Sequence, residues 1–149
     1  MTDAMDIVLQ AFHAVERRDL QALEALYHPE VEFRWPPSLP YGGSARGHEV
    51  FQPKRPTWGE TWNPLQATER ERQMDPRVVA ASGDEVVVLW RQKGVDRSGE
   101  RFDGPALGLY RVRDGKFARA QMFYFDTVAV VNFLAQAQQR SPARAGSSR

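Results

Sequence analysis

The chain has 149 residues, a formal net charge of +1, 42% hydrophobic, 26% charged and 11% aromatic residues, and no cysteine. These values are those of one globular domain and exclude a disulfide scaffold, a thiolate nucleophile and a cysteine-based metal site. Near-balanced charge leaves no footprint for nucleic acid or an anionic membrane, no apolar run reaches the roughly 18 residues of a span, and the first twenty residues lack the basic and apolar regions of a signal peptide, so a cytoplasmic domain is expected.

From Met5 to Arg18, Val8, Ala11, Phe12 and Val15 recur at helical spacing. Asp19 is placed to cap a second short helix carrying Leu20, Leu23, Leu26 and Tyr27, which should end at His28 because Pro29 follows. Val31, Phe33 and Trp35 alternate with Glu32 and Arg34, the period of a half-buried strand, and Pro36-Pro37 stop it. Three prolines and three glycines make Pro36 to Gly47 an irregular loop. A helix from Gly47 to Phe51 is then broken by Pro53 and Pro56, resumes over Trp58 to Trp62, and closes at Asn63-Pro64.

The rest reads as strands and one helix. Leu65 to Met74 is a polar strand-like run whose Glu69-Arg70-Glu71-Arg72 suits a solvated edge, followed by Arg77 to Ser82 and by Glu85 to Gly94. Ser82-Gly83-Asp84 is a hairpin signal, and Arg113-Asp114-Gly115 joins Phe102 to Val112 with Lys116 to Asp126 through an Asp-Gly turn. Thr127 to Gln139 is a closing helix with Val130, Phe133, Leu134 and Ala137 on one side. The order predicts one α+β domain over residues 1–139, with N-terminal helices packed on a strongly bent, cone-shaped antiparallel sheet that encloses a pocket. Residues 140–149 hold three arginines and no acid, and are expected to be disordered. The folded body then carries seventeen basic against nineteen acidic residues.

This order of elements, with DLQALEALYHPEVEFRW, PPSLPYGGSARGHEVF and DGKFARAQMFYFDT, resembles the SnoaL-like branch of the nuclear transport factor 2-like superfamily from Asp6 to about Gln136. The resemblance implies that fold; its members include cyclases, isomerases, epoxide hydrolases and noncatalytic binders. In relatives similar to limonene epoxide hydrolase, an Arg-x-Asp on a middle strand works with the Asp of a Tyr-Phe-Asp ending; here Tyr124-Phe125-Asp126 matches, but the middle strand reads Arg91-Gln92-Lys93. Ketosteroid isomerase is also similar, yet Trp35 stands where its base acid precedes a proline. SnoaL-type polyketide cyclases fit better, because their aldol chemistry is assigned to one late Asp, which the resemblance places at Asp126.

The first expectation is therefore an enzyme doing cofactor-independent acid–base chemistry of cyclase or isomerase type on an apolar, aromatic substrate. Asp126 is its base, Arg91 or Tyr110 steadies an enolate oxygen, and His48 is a proton partner. The alternative is a noncatalytic small-molecule-binding or dimerisation domain in which Asp126 only caps the last helix; an epoxide hydrolase is third. Trp35, Tyr41, Trp58, Trp62, Trp90, Met122 and Tyr124 are expected to wall the pocket. Strand parity at Trp90 and Arg91 stays open, since only one of the two neighbours can face inward. His13, His28 and His48 are too scattered for a helical metal motif, so neither metal nor cofactor is expected. The partner expected inside is a small apolar organic molecule. Phe123 and Phe125, facing outward, imply a homodimer through the outer sheet face.

Overall fold

Asp3 opens the first helix of the computed structural model, which describes residues 3–139; the carboxylate accepts the Asp6 amide at 2.9 Å, satisfying one of the donors a helix leaves unpaired. The expected tail, 140–149, lies outside the described residues. Helix α1 (Ala4–Glu16) buries Ile7, Val8, Ala11, Phe12 and Ala14 on one face, and His13 is exposed. Asp19 caps α2 (Leu20–Leu26) by accepting the Ala22 amide at 3.0 Å.

Strand β1 (Tyr27–Trp35) begins four residues before the predicted start, so His28 is a strand residue and not a helix end. Its pairing slips between Tyr27 and Glu32, where Pro29 has no amide to give a ladder. Part of the predicted irregular loop is β2 (Gly43–Arg46), antiparallel to β1 with Trp35 opposite Gly43. The broken helix is present as α3 (His48–Phe51) and α4 (Trp58–Trp62), and α4 runs into a 3-10 turn at Asn63–Leu65.

The Glu69-Arg70-Glu71-Arg72 run is a helical turn, α5 (Glu69–Arg72), not an edge strand. Thr68 and Glu71 form a reciprocal capping box, as Thr57 and Glu60 do for α4, and local capping outweighs the alternating charge. Glu71 is buried, and its hydrogen bonds from Thr68 hold its carboxyl below the usual range.

The strands β3 (Arg77–Ser82), β4 (Glu85–Val95), β5 (Arg101–Arg113) and β6 (Lys116–Tyr124) follow as a meander, and α6 (Thr127–Gln139) closes the chain with Val130, Phe133, Leu134 and Ala137 buried as predicted. Asp114 and Gly115, both at positive φ, make the tight β5–β6 turn. The curved, unclosed six-stranded sheet has the order β2-β1-β6-β5-β4-β3. It is mixed and not wholly antiparallel, because β1 runs parallel to β6. That pair joins the first strand to the last and sets β1 beside the C-terminal meander.

Parity on β4 is resolved: Val86, Val88, Trp90, Gln92 and Gly94 are buried inward. Arg91 and Lys93 point out, where Arg91 pairs with Asp103 and Lys93 with Asp75, each at 2.8 Å. The helices cover the inner face; α1 sends Phe12 against Trp90 and Tyr110. Gly94 leaves room for Trp62, since a β-carbon there would stand 2.8 Å from the indole. No helix among the described residues is long and apolar enough to cross a membrane.

Candidate functional site: an aromatic cavity with a directed hydrogen-bond chain

Between the inner face and the helices lies a cavity of about 530 Å³. Phe12 of α1, Tyr27, Phe33 and Trp35 of β1, Tyr41 of the following loop, Trp58 of α4, Trp90 of β4, Tyr110 of β5 and Phe117 and Met122 of β6 line it. Aromatic contacts tie these walls together: Tyr27 and Phe33 lie 5.3 Å apart, Tyr110 and Phe117 5.4 Å, and Trp35 meets Tyr41 edge-on at 5.0 Å. Gly108 keeps space for Tyr110, because a β-carbon at 108 would lie on the phenol oxygen.

The segment between α3 and α4 contributes Pro53, Lys54, Arg55 and Pro56 to the opposite wall, and the Arg55 guanidinium donates to the Gly42 carbonyl. Arg18, at the end of α1, also borders the cavity while donating to the carbonyls of Asn63 (3.0 Å) and Gln66 (2.9 Å). This contact fixes the α4 region to α1.

Behind one wall runs a hydrogen-bond chain whose direction is set by chemistry. Indole N–H groups only donate. Trp58 Nε1 donates to Gln92 Oε1 at 2.7 Å, which fixes the orientation of the Gln92 amide. Tyr124 must then give its single proton to the same oxygen at 2.8 Å, so the 2.7 Å contact between the Tyr41 and Tyr124 hydroxyls is donated by Tyr41. Tyr41 accepts in turn from Trp62 Nε1 at 2.9 Å. Every proton of Tyr41 and Tyr124 is thereby committed. Burial raises the pKa of both, Tyr41 to about 12.

The SnoaL-like domain profile matches residues 8–120. The chain belongs to the SnoaL-like family. Solved structures with the same fold include TerC co-crystallised with polyporic acid (TM-score 0.74, 22% identity, covering 90% of this chain and 99% of that one). A nuclear transport factor 2-like protein from Burkholderia thailandensis is similar at TM-score 0.69 and 26% identity, over 93% and 98% of the two chains. A candidate polyketide cyclase from Pseudomonas putida is similar at TM-score 0.62 and 22% identity, over 83% and 92%. No curated protein is close enough in sequence to count as a match.

The SnoaL-like chain gathers only part of the predicted site. Trp35, Tyr41, Trp58, Trp90, Tyr110 and Met122 line the cavity. Trp62 and Tyr124 stand behind the wall, where they orient Tyr41; Trp62 also stacks on Phe133 of α6 at 5.9 Å.

Three candidates are elsewhere. Asp126 follows the end of β6, so the alternation that would have turned it inward has stopped; it is exposed, and its carboxylate accepts the Ala129 amide at 3.0 Å as a helix cap. Arg91 is on the outer face for the parity reason given above. His48 is an exposed first residue of α3 and borders no part of the cavity.

Tyr27, which lines the cavity, and Gln92, which anchors the hydrogen-bond chain behind it, were missed in the sequence reading. For Gln92 the signal was ambiguous: Glu85, Arg91 and Lys93 put charge at odd positions of β4, but Val86 to Leu89 are apolar at both parities, so the sequence leaves the inward side open. For Tyr27 there was none, because the residue read as the end of α2. Among the described residues no cluster of three or more metal-ligating side chains occurs.

Proposed function

We propose that this SnoaL-like chain binds an apolar, aromatic small molecule in its cavity. The observation that carries this reading is a space of about 530 Å³ walled mostly by aromatic and aliphatic side chains, with Arg18, Lys54 and Arg55 also bordering it, large enough for a two- or three-ring ligand. Burying such a ligand removes apolar surface from water at about 25 cal/mol per Å². TerC, which shares the fold, was crystallised with polyporic acid, and that compound is a natural probe beside fluorene.

Binding is favoured over turnover by where the acids are. Proton abstraction beside a carbonyl needs a base within hydrogen-bond reach of the carbon acid. Asp126 caps α6, and the two carboxylates that border the cavity, Glu24 and Glu49, are exposed, with Glu49 accepting the Arg46 amide at 3.0 Å. The cyclase reading draws its support from the candidate polyketide cyclase of the same fold. Epoxide opening would need an acid and a carboxylate together in the cavity, and Arg91 with Lys93 lies on the other side of the sheet.

Trp35, Trp58 and Trp90 line the cavity, so ligand entry is readable in tryptophan emission. Titration with fluorene or polyporic acid should give a saturable one-to-one change and raise the melting temperature with concentration, as binding to the native state alone requires. A change that stays linear in probe, with no thermal stabilisation, overturns the reading. Polyporic acid recovered unaltered after long incubation supports binding, whereas conversion returns the cyclase reading to first place.

The outer face supports a second proposal, association with another copy of the chain. Leu107 and Phe123 pair across β5 and β6, Phe123 is 46% exposed, and Phe125 is 84% exposed beyond the strand end. Adjacent exposed apolar side chains of this size are what a dimer interface covers.

A further inference from the structure

The charges bordering the cavity are sorted by position. Strand β1 runs from Tyr27 at one end of the wall to Trp35 at the other. The two bordering carboxylates belong to the Tyr27 end. Glu24 is close enough for its charge to help raise the Tyr27 pKa. Glu49 of α3 stands two residues before Phe51, whose ring meets Tyr27 at 6.0 Å, and it accepts the Arg46 amide.

The Trp35 end carries cations. Arg55 donates to the Gly42 carbonyl, and its guanidinium occupies the space that a β-carbon at Gly43 would fill, where Gly43 stands opposite Trp35 on the ladder. Gly43 and Arg46 are three residues apart on β2, so the anchors of Arg55 and Glu49 are separated by about 10 Å. Lys54, beside Arg55, is exposed and makes no hydrogen bond or ion pair among the described residues. Arg55 spends one of its five donors on Gly42, and Arg18 uses only Nη2 for its two carbonyls, so both keep donors to give.

Pro53 and Pro56 bracket the Lys54-Arg55 pair and border the cavity with it. Their fixed φ makes the connection between α3 and α4 a stiff strap, which presents the two cations at little further cost in order. The concavity on the outer sheet face offers no equivalent, because Arg46, Arg111 and Arg119 there already face Glu32 or Glu85.

We infer that the cavity selects aromatic acids: the ring system enters between the aromatic walls, and its anionic group stays at the Trp35 end, where Lys54 and Arg55 receive it and Arg18 adds to the positive field. This rests on the cavity being a ligand site, and it names the ligand class and the specificity residues of that site. A carboxylate driven among the aromatic rings would lose its water with nothing in return. Held by exposed cations, it keeps part of its hydration and gains charge-assisted hydrogen bonds. Glu24 and Glu49 repel it from the other end, so the same arrangement fixes which way round the ligand enters.

The test compares fluorene-2-carboxylate with fluorene-2-carboxamide, which share rings and shape and differ in charge, by titration of tryptophan emission. At low ionic strength the wild-type chain should bind the carboxylate about fivefold tighter, the worth of two exposed charge pairs. At about 0.5 M salt, where screening shortens the reach of exposed charges to a few Å, the two affinities should converge. Lys54→Gln, which breaks no contact, should lower the preference about twofold, and Lys54→Gln with Arg55→Gln should abolish it. Equal wild-type affinities, a preference indifferent to salt, or a preference that survives both substitutions overturns the inference while leaving the cavity a binding site. Failure of the carboxylate, the carboxamide and fluorene alike to bind overturns the binding reading itself. Should the double variant not fold, Lys54→Gln decides alone, and an unchanged preference in it overturns the inference.

Discussion

Tyrosine chemistry gives the residue scale its sharpest observable. Burial holds the phenols of Tyr27, Tyr41, Tyr110 and Tyr124 above the ordinary pKa of about 10, and Tyr41 lies at about 12. A group whose folded pKa is raised contributes stability that is fully present below its unfolded pKa and is lost as pH climbs through the folded value. The native chain should thus show almost no phenolate absorbance at about pH 10, where free tyrosine is half ionised. Between about pH 10 and 12 stability should fall, and phenolate should appear together with loss of the tertiary circular-dichroism signal. Independent ionisation of two or more tyrosines near pH 10, with the fold intact, would contradict their placement. Much of this wall was legible: Trp35, Tyr41, Trp58, Trp90, Tyr110 and Met122 were all expected at the pocket. Which of the aromatics touch ligand and which stand behind them was not legible, because Tyr41 and Tyr124 differ only in depth, and depth depends on how the β1–β2 loop folds onto β6.

At the scale of elements, capping decided where the polar residues went. Asp3, Asp19, Thr57, Thr68 and Asp126 each satisfy a helix N-terminus. The Asp126→Ala variant should lose about 1 kcal/mol of stability in chemical denaturation, the usual cost of a lost cap, and should bind fluorene as the wild-type chain does. A large loss of binding at unchanged stability would instead restore Asp126 to the cavity. The same local chemistry corrects the sequence reading of α5: Thr68 and Glu71 have the spacing of a capping box, a signal present in the sequence and stronger than charge alternation. The early start of β1 had no such signal, since Pro29 after His28 reads as a helix stop, and only pairing with β6 makes Tyr27 a strand residue.

On the scale of the whole molecule, the outer sheet face carries the remaining apolar surface. Sedimentation velocity should show a dimer at micromolar concentration, and Phe123→Lys should shift it toward monomer while preserving circular dichroism and fluorene binding. A wild-type monomer at all concentrations would refute the proposal. What the sequence by itself determined is the local and periodic part: the α1 and α6 faces, the interrupted α3–α4 helix, the two tight hairpins and the family, because spacing, proline and turn chemistry act within a few residues. Only the tertiary structure decided that β1 lies parallel to β6, that Trp90 and not Arg91 faces inward, and that Asp126 falls just beyond the last inward position. Those outcomes depend on partners distant in the chain. A strand's facing is set by what covers it, and the side that buries Trp90 under Phe12 is the one that leaves Arg91 its water and its Asp103.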